Sequence, residues 1–278
     1  MAHKTLIGGT AYEISGGKTL VGGTTYSIDK GKTLVGGTAY EVGFGGPWPS
    51  NLNTCLEFAS ASAFTLKVNS ICWNGTMEYC NGDGWKAWNG SEISSGETES
   101  GHRIYLRGIG NKKVIGSSSG RFYLTGSNIE CNGNIENLLD YATVAGGSHP
   151  NMADSCFSFM FYNQTTLIKA PSLPATTLTT ACYFNMFSGC TALTAIPRLP
   201  ATTLVNSCYL NMFEMCMNIK VSTTQTSTYT KAYRIPSSGA GTAETGALDK
   251  MFRYTGGAFT GTPEINTTYY LDSSNEII

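Results

Sequence analysis

Two sets of internal repeats, different in period and in chemistry, constrain this chain more than any local motif does. The first is a 14-residue unit: Lys4–Gly17 reads KTLIGGTAYEISGG, Lys18–Gly31 reads KTLVGGTTYSIDKG and Lys32–Gly45 reads KTLVGGTAYEVGFG. The second is a 26-residue unit built on C-[FY]-x-x-M-F, at Cys156–Phe161, Cys182–Phe187 and Cys208–Phe213. A unit that cannot bury its own apolar face has to stack on its neighbours, so repetition implies an extended surface in place of one compact pocket. Extended surfaces serve contact more often than chemistry.

Each 14-residue unit reads as a β-hairpin. In Lys18–Ile28 the Gly22-Gly23 pair supplies the positive φ angles of a type I′ turn. That turn sets Val21 opposite Thr24 and Thr19 opposite Tyr26. Period-two alternation then places Val21, Tyr26 and Ile28 on one face, with Ile7, Tyr12 and Ile14, and Val35, Tyr40 and Val42, as the equivalent sets. One apolar face per hairpin is too little to fold alone. The stripe is expected to bury itself on other copies of the chain, as a homo-oligomer, or to dock on a larger scaffold. A small independent meander is the alternative.

Gly43–Asn53 (GFGGPWPSNLN) reads as a linker by its Gly, Pro and Ser content. Beyond it, Phe64–Val68, Ser70–Trp73, Arg103–Arg107, Phe122–Thr125 and Ser127–Cys131 read as short strands. Asn74-Gly75, Asn81-Gly82-Asp83-Gly84, Asn89-Gly90 and Asn132-Gly133 are the turns between them, and the pattern predicts a β-sandwich. Trp73, Tyr79, Trp85 and Trp88 fall on or near these turns. Aromatic faces beside Asn and Asp suit sugar stacking, so the four are candidate binding residues. The competing reading, which the fold class favours, places them in the sandwich core.

In the 26-residue units Leu167, Leu193 and Ile219 align, Pro171 aligns with Pro197, and LPATTL recurs at Leu173–Leu178 and Leu199–Leu204. Cys, Met and aromatic residues at helical spacing predict one short helix per unit, and the following T-A-L-T-A-I-P predicts one short strand stopped by its proline. Met160, Met186 and Met212 read as core, and Thr176, Thr177, Thr202 and Thr203 as exposed polar ladders. Met251-Phe252 recovers the M-F pair one and a half periods after Met212-Phe213, which makes Ser222–Gly246 a polar insertion. The expected division is hairpin repeats at 1–46, a β-sandwich at 47–139 and a repeat array with a terminal cap at 140–278.

Charged residues are 13% of the chain, about half the usual share, and the net charge is −1 with no basic cluster. Electrostatic capture of nucleic acid or of an anionic membrane is therefore not expected. No run of 18 apolar residues predicts a membrane-spanning helix, and the first residues carry no signal-peptide pattern. Nine cysteines leave at least one unpaired, and their recurrence at the repeat period reads as small apolar core filling with free thiols. C-x-x-C pairs are absent and His3, His102 and His149 lie far apart, so neither a zinc site nor any other metal or cofactor is expected. Phosphate-loop, G-x-S-x-G and H-E-x-x-H patterns are also missing, and a non-enzymatic protein is the expectation.

The units at 153–216 resemble the BspA-type leucine-rich repeat, with its LPATTL…CY..MF.GC..L pattern of Leu, Pro, Thr, Cys, Met, Phe and Gly. The segments WKAWNGSEISSG, RIYLRG and IECNGNIENLL look like the β-sandwich that accompanies such repeats in gut-bacterial and phage proteins. The KTLVGGTAYEI hairpins are similar to short repeats in structural proteins of phages that infect gut Firmicutes. The resemblance implies a mainly β multidomain chain whose repeats form a short leucine-rich-repeat-like α/β solenoid. It implies a fibre, decoration or receptor-binding protein on the surface of a phage virion, commonly a homotrimer. The partners would be other virion proteins and a bacterial surface glycan or protein. A bacterial cell-surface adhesin of the same repeat family is the alternative, and a carbohydrate-binding module of a larger enzyme is the third reading. The first unit departs from the pattern, with Gln164 in place of the second cysteine and Asn163 in place of its glycine, and is read as a cap.

Overall fold

The computed structural model of the chain describes residues 48–49 and 52–278 and, as backbone, six strands within residues 3–42. The fold is mainly β, with strands in several sheets and one α-helix among the described residues. It divides into two compact units, Met1–Ser50 with Gly82–Gly84, and Asn51–Asn81 with Trp85–Ile278. No helix of the described residues is long and apolar enough to cross a membrane.

In the first unit β1 (His3–Ile7) pairs with β2 (Thr10–Ile14), β3 (Lys18–Val21) with β4 (Thr24–Ser27), and β5 (Gly31–Val35) with β6 (Thr38–Val42), each pair antiparallel. In the second pair Thr19 lies opposite Tyr26 and Val21 opposite Thr24, the register that a two-residue Gly-Gly loop predicts.

The second unit begins with β7 (Leu56–Ser60), β8 (Thr65–Val68), β9 (Thr76–Cys80), β10 (Lys86–Ala87), β11 (Ile93–Ser94), β12 (Gly96–Thr98), β13 (Gly101–Ile109), β14 (Phe122–Thr125) and β15 (Ile129–Asn132). Strands β8, β11 and β14 form a three-stranded antiparallel sheet. Its Phe122 meets Phe58 of β7 edge-on at 6.0 Å, so this sheet and the larger one share a core. Ser70–Trp73, expected as a strand, forms none. Side-chain bonds hold the turn that follows it: Asn111 Oδ1 accepts the Gly75 N–H at 2.6 Å and Asn74 Oδ1 accepts the Lys112 N–H at 2.9 Å.

The helix α1 (Asn137–Ala145) lies on β13. Gly108 makes that approach possible, because a Cβ there would stand 1.8 Å from the Leu138 carbonyl oxygen. The helix is broken at Asp140, whose φ of −152° and ψ of 98° are extended. Asp140 caps the turn beyond the break: Oδ1 accepts the Thr143 N–H at 3.0 Å and Oδ2 accepts the Gly110 N–H at 3.0 Å.

Then follow β16 (Leu167–Lys169), β17 (Ala195–Ile196), β18 (Thr203–Leu204), β19 (Val221–Ser222), β20 (Tyr229–Arg234), β21 (Thr242–Ala243), β22 (Thr268–Asp272) and β23 (Glu276–Ile277). A nine-stranded sheet runs β10-β9-β13-β7-β15-β16-β17-β23, with β12 paired to β13. From β15 onward its ladders are parallel, one short strand from each successive unit. The third unit breaks the series. Its β19 pairs antiparallel with β22, and β23 takes the parallel place beside β17. The sheet and the hydrophobic core continue without a gap across residues 139–140.

The helix expected in each 26-residue unit is absent, and a run of turns stands in its place. Alternate N–H groups bond locally, three residues back: Ser158 to Ser155, Met160 to Phe157, Tyr162 to Phe159 and Gln164 to Phe161. The N–H groups between them reach the next unit: Phe157 to Cys182, Phe159 to Phe184, Phe161 to Met186 and Asn163 to Ser188. Units two and three repeat the scheme, and the third bonds to the Met251-Phe252 segment through Tyr209, Asn211, Phe213 and Met215. Turning alternate amides outward requires a left-handed residue every fourth position. Three such columns exist: Ser155, Ala181, Ser207 and Gly246; Phe159, Asn185, Asn211 and Lys250; Asn163, Gly189, Met215 and Tyr254. An α-helix would have turned the N–H groups beyond its first turn inward along its own axis, leaving far fewer to join the units.

Side chains stack in the same columns. Phe161, Phe187, Phe213 and Phe252 lie with ring centres 5.4, 5.6 and 5.8 Å apart and planes within 10°. Phe157, Tyr183 and Tyr209 form a second stack at 5.7 and 5.8 Å. Met160, Met186, Met212 and Met251 are fully buried. Phe187→Ala, at the middle of the longer stack, is expected to cost about 3–5 kcal/mol in urea unfolding; a loss under about 1 kcal/mol would contradict the packing described.

The two N–H bonds to Asp140 hold its carboxyl below the usual aspartate range, the Thr143 amide contributing most. A carboxylate favoured in the folded state stabilises above its unfolded value, about 3.9, and that contribution is lost as pH falls through the lower folded value. Asp140→Asn is expected to flatten the acid limb of the stability–pH curve, measured by urea unfolding between neutral pH and pH about 3. An unchanged acid limb would remove Asp140 from the titration.

Candidate functional site

The four aromatic residues singled out in the sequence divide between two environments. Trp88 is buried, with its Nε1–H donating to the Ser91 carbonyl at 2.7 Å. Trp73 stacks on it at 5.2 Å, and Phe122 closes the far side edge-on at 5.9 Å. Tyr79 is half-buried against the same core. These three side chains serve packing. Trp85 stands apart from them: its ring lies 4.1 Å from the Arg107 guanidinium, and the ring of Tyr141 lies 4.3 Å from the same guanidinium. Arg107 Nε also donates to Glu78 Oε2 at 2.7 Å. A cation held by two rings and a carboxylate is a fixed, partly exposed patch built from β13, β9, α1 and the residue that precedes β10.

Of the residues expected to form the docking stripe, Ile7, Tyr12, Ile14, Val21, Tyr26, Val35, Tyr40 and Val42 lie on β1–β6, where the backbone alone is described. Ile28 lies outside the described residues.

The stacked units present a second surface. Thr176, Thr177, Thr202 and Thr203 are exposed, as the repeat pattern predicts. Sequence reasoning missed the outer left-handed column. There Asn163 and Gly189 give way to Met215, 51% exposed, and Tyr254, 59% exposed. Met217 is 53% exposed beside them in sequence. The signal was present in part: Asn or Gly occupies five of the twelve left-handed positions, at a spacing of four.

The two cysteine columns face inward. Cys156, Cys182 and Cys208 are buried, and Ala247 continues their column. Cys190 Sγ donates to the Phe161 carbonyl at 2.9 Å and Cys216 Sγ to the Phe187 carbonyl at 3.0 Å, so each thiol ties its unit to the one before. In the first unit Gln164 has no preceding unit to reach. Its Oε1 instead accepts the Leu124 N–H of β14 at 2.8 Å. Among the described residues no group of three or more His, Cys, Asp or Glu side chains could hold a metal ion.

No protein-family model matches this chain, and no curated protein or solved structure is significantly similar to it.

Burial pushes the Cys55, Cys182 and Cys190 thiols up to about 12 and those of Cys131, Cys156 and Cys216 well above the usual range. Cys72 alone of the nine is partly exposed. A disulfide reagent at pH about 8 is expected to titrate one thiol rapidly in the native protein and all nine after denaturation. Several fast native thiols would show that the columns open.

Proposed function

We propose that this chain is a non-enzymatic surface protein of a phage or prophage virion, attached through its N-terminal hairpins and presenting its second unit to a bacterial surface. In this reading β1–β6 are the docking and self-association element, with Ile7, Tyr12, Ile14, Val21, Tyr26, Ile28, Val35, Tyr40 and Val42 as the residues the repeat pattern assigns to its apolar face. The β-rich part up to β15 is a sandwich of the kind that accompanies BspA-type repeats. The stacked units that follow are a short leucine-rich-repeat-like solenoid, ended by the segment beyond Ser222. Other virion proteins and further copies of the chain, as a trimer, are its structural partners. A glycan or protein of the host surface is its ligand.

The observation that carries the reading is the two-sided bonding of the 26-residue units. The units spend their outward N–H and C=O groups and their inner side chains on their neighbours, and what the array leaves to solvent includes the Thr pairs at 176–177 and 202–203 and the left-handed Asn163, Met215, Lys250 and Tyr254. The division of the chain into two compact units fits an attachment element distinct from a display element.

Deleting residues 1–45 is expected to abolish incorporation into particles while the second unit keeps its circular dichroism and unfolding midpoint. Incorporation at the level of the intact chain would overturn the assignment.

A further inference from the structure

We infer that a cationic groove between β20 and β23 binds the acidic group of a glycan, a carboxylate or a phosphate. The inference rests on the proposed role in host-surface contact and names the site and the ligand chemistry. Two adjoining depressions, of about 280 and 410 Å³, share Arg198 and Ala232. The first is lined by Arg198, Arg234, Tyr233, Ser237 and Thr268, and the second by Arg198, Lys231, Glu276 and Ile277.

Three cations converge on this groove. Arg103, Arg107, Lys169 and Arg253 of the second unit each pair with a glutamate, Glu57, Glu78, Glu130 and Glu214 respectively. At the groove Lys231 and Arg234 are held by neutral carbonyls. Lys231 Nζ donates to the carbonyls of Ser273, at 2.9 Å, and Asn275. Arg234 donates to the carbonyls of Asn266, at 3.3 Å, Pro236, at 3.0 Å, and Gly239. Both heads are thereby fixed in place without loss of charge. Arg198 is exposed at the junction of the depressions and makes no ion pair among the described residues.

The polar neighbours divide the groove by chemistry. Arg198, Arg234 and the hydroxyls of Ser237 and Thr268 are donors, and no carboxylate lines their depression. An anion placed there takes charge-assisted bonds from Arg198 and from the Arg234 N–H that its carbonyl and amide partners leave free. Glu276 lines the second depression, where it repels an anion and accepts bonds from neutral hydroxyls beside the apolar Ala232 and Ile277. An acid followed by a hydroxyl-rich ring satisfies both halves, which is the chemistry of an acidic sugar chain. A polyacidic peptide would set a carboxylate against Glu276.

The test titrates the intact chain with glucuronic acid, with glycerol 1-phosphate, with glucose and with a hexaglutamate peptide, followed by amide chemical shifts at low salt. Saturable millimolar binding of either acid, with shifts at Arg198, Ala232 and Thr268, is expected. The acid that binds identifies carboxylate or phosphate as the source. Arg198→Gln, an exposed change, is expected to weaken that binding about tenfold or more. Binding of neither acid, equal binding of glucose, tighter binding of the peptide, or an unaffected Arg198→Gln variant would each overturn the assignment. Arg198→Gln should still enter particles, so failure of the groove leaves the virion reading standing and failure of the deletion experiment leaves the groove measurable.

Discussion

The alternation of amide direction along each 26-residue unit is the constraint on which the second unit depends. Half of the N–H groups close turns within the unit, and the other half cross to the next one. Within the turn runs the crossing amide bonds go one way, donor to acceptor toward the C-terminus. A stack of this kind cannot end on itself: its first unit offers carbonyls with no donor, and its last offers amides with no acceptor. Buried backbone groups left so would each cost about as much as a lost hydrogen bond. The chain supplies both ends. Val114 and Ile115 donate to the Cys156 carbonyl, and Phe122 donates to that of Met160. At the other end Lys250 donates to Thr262 Oγ1 and Phe252 to the Gly261 carbonyl. The β-rich segment is thus part of the repeat structure, which explains why one sheet and one core pass through both.

What the sequence made legible follows the same division. The columns Cys156–Cys182–Cys208, Met160–Met186–Met212 and Leu167–Leu193–Ile219 were readable because identity at a fixed period marks positions with identical neighbours, and all are buried. The late recovery at Met251-Phe252 was readable for the same reason. Gln164 was recognisable as a departure, and its bond to β14 gives that departure a cause. The conformation of the units was not readable. Cys, Met and aromatic residues spaced by three and four residues meet the criterion for a helix, and a turn of four residues produces the same spacing. Only the left-handed positions distinguish them, and Phe159, Met215, Lys250 and Tyr254 are residues that composition would never assign to positive φ.

The aromatic cluster shows a different limit. Trp73, Tyr79, Trp85 and Trp88 are close in sequence, but Trp88 is in the core with Trp73 and Tyr79 packed against it, while Trp85 packs on Arg107. Proximity along the chain carried no information about which face each would take. The partner that defines Trp85, Arg107, lies in β13, and Tyr141 lies in α1; neither is near it in sequence.

The candidate groove arises where the repeat is interrupted. Between the third unit and the Met251-Phe252 segment the spacing across the crossing bonds rises from 25 residues, Phe157 to Cys182, to 38, Tyr209 to Ala247. The added chain builds β20 and β21, and β19 leaves the parallel ladder for β22. Those changes leave β23 in the position a regular unit would fill and bring Lys231 and Arg234 of β20 beside Arg198. A regular stack tolerates few charged side chains inside, because every inner column is shared between neighbours. An interruption frees positions from that sharing while the flanking units hold them rigid. Two cations fixed by carbonyls, Lys231 and Arg234, and the exposed Arg198 can therefore sit at this place in the second unit, and not within the columns that precede it.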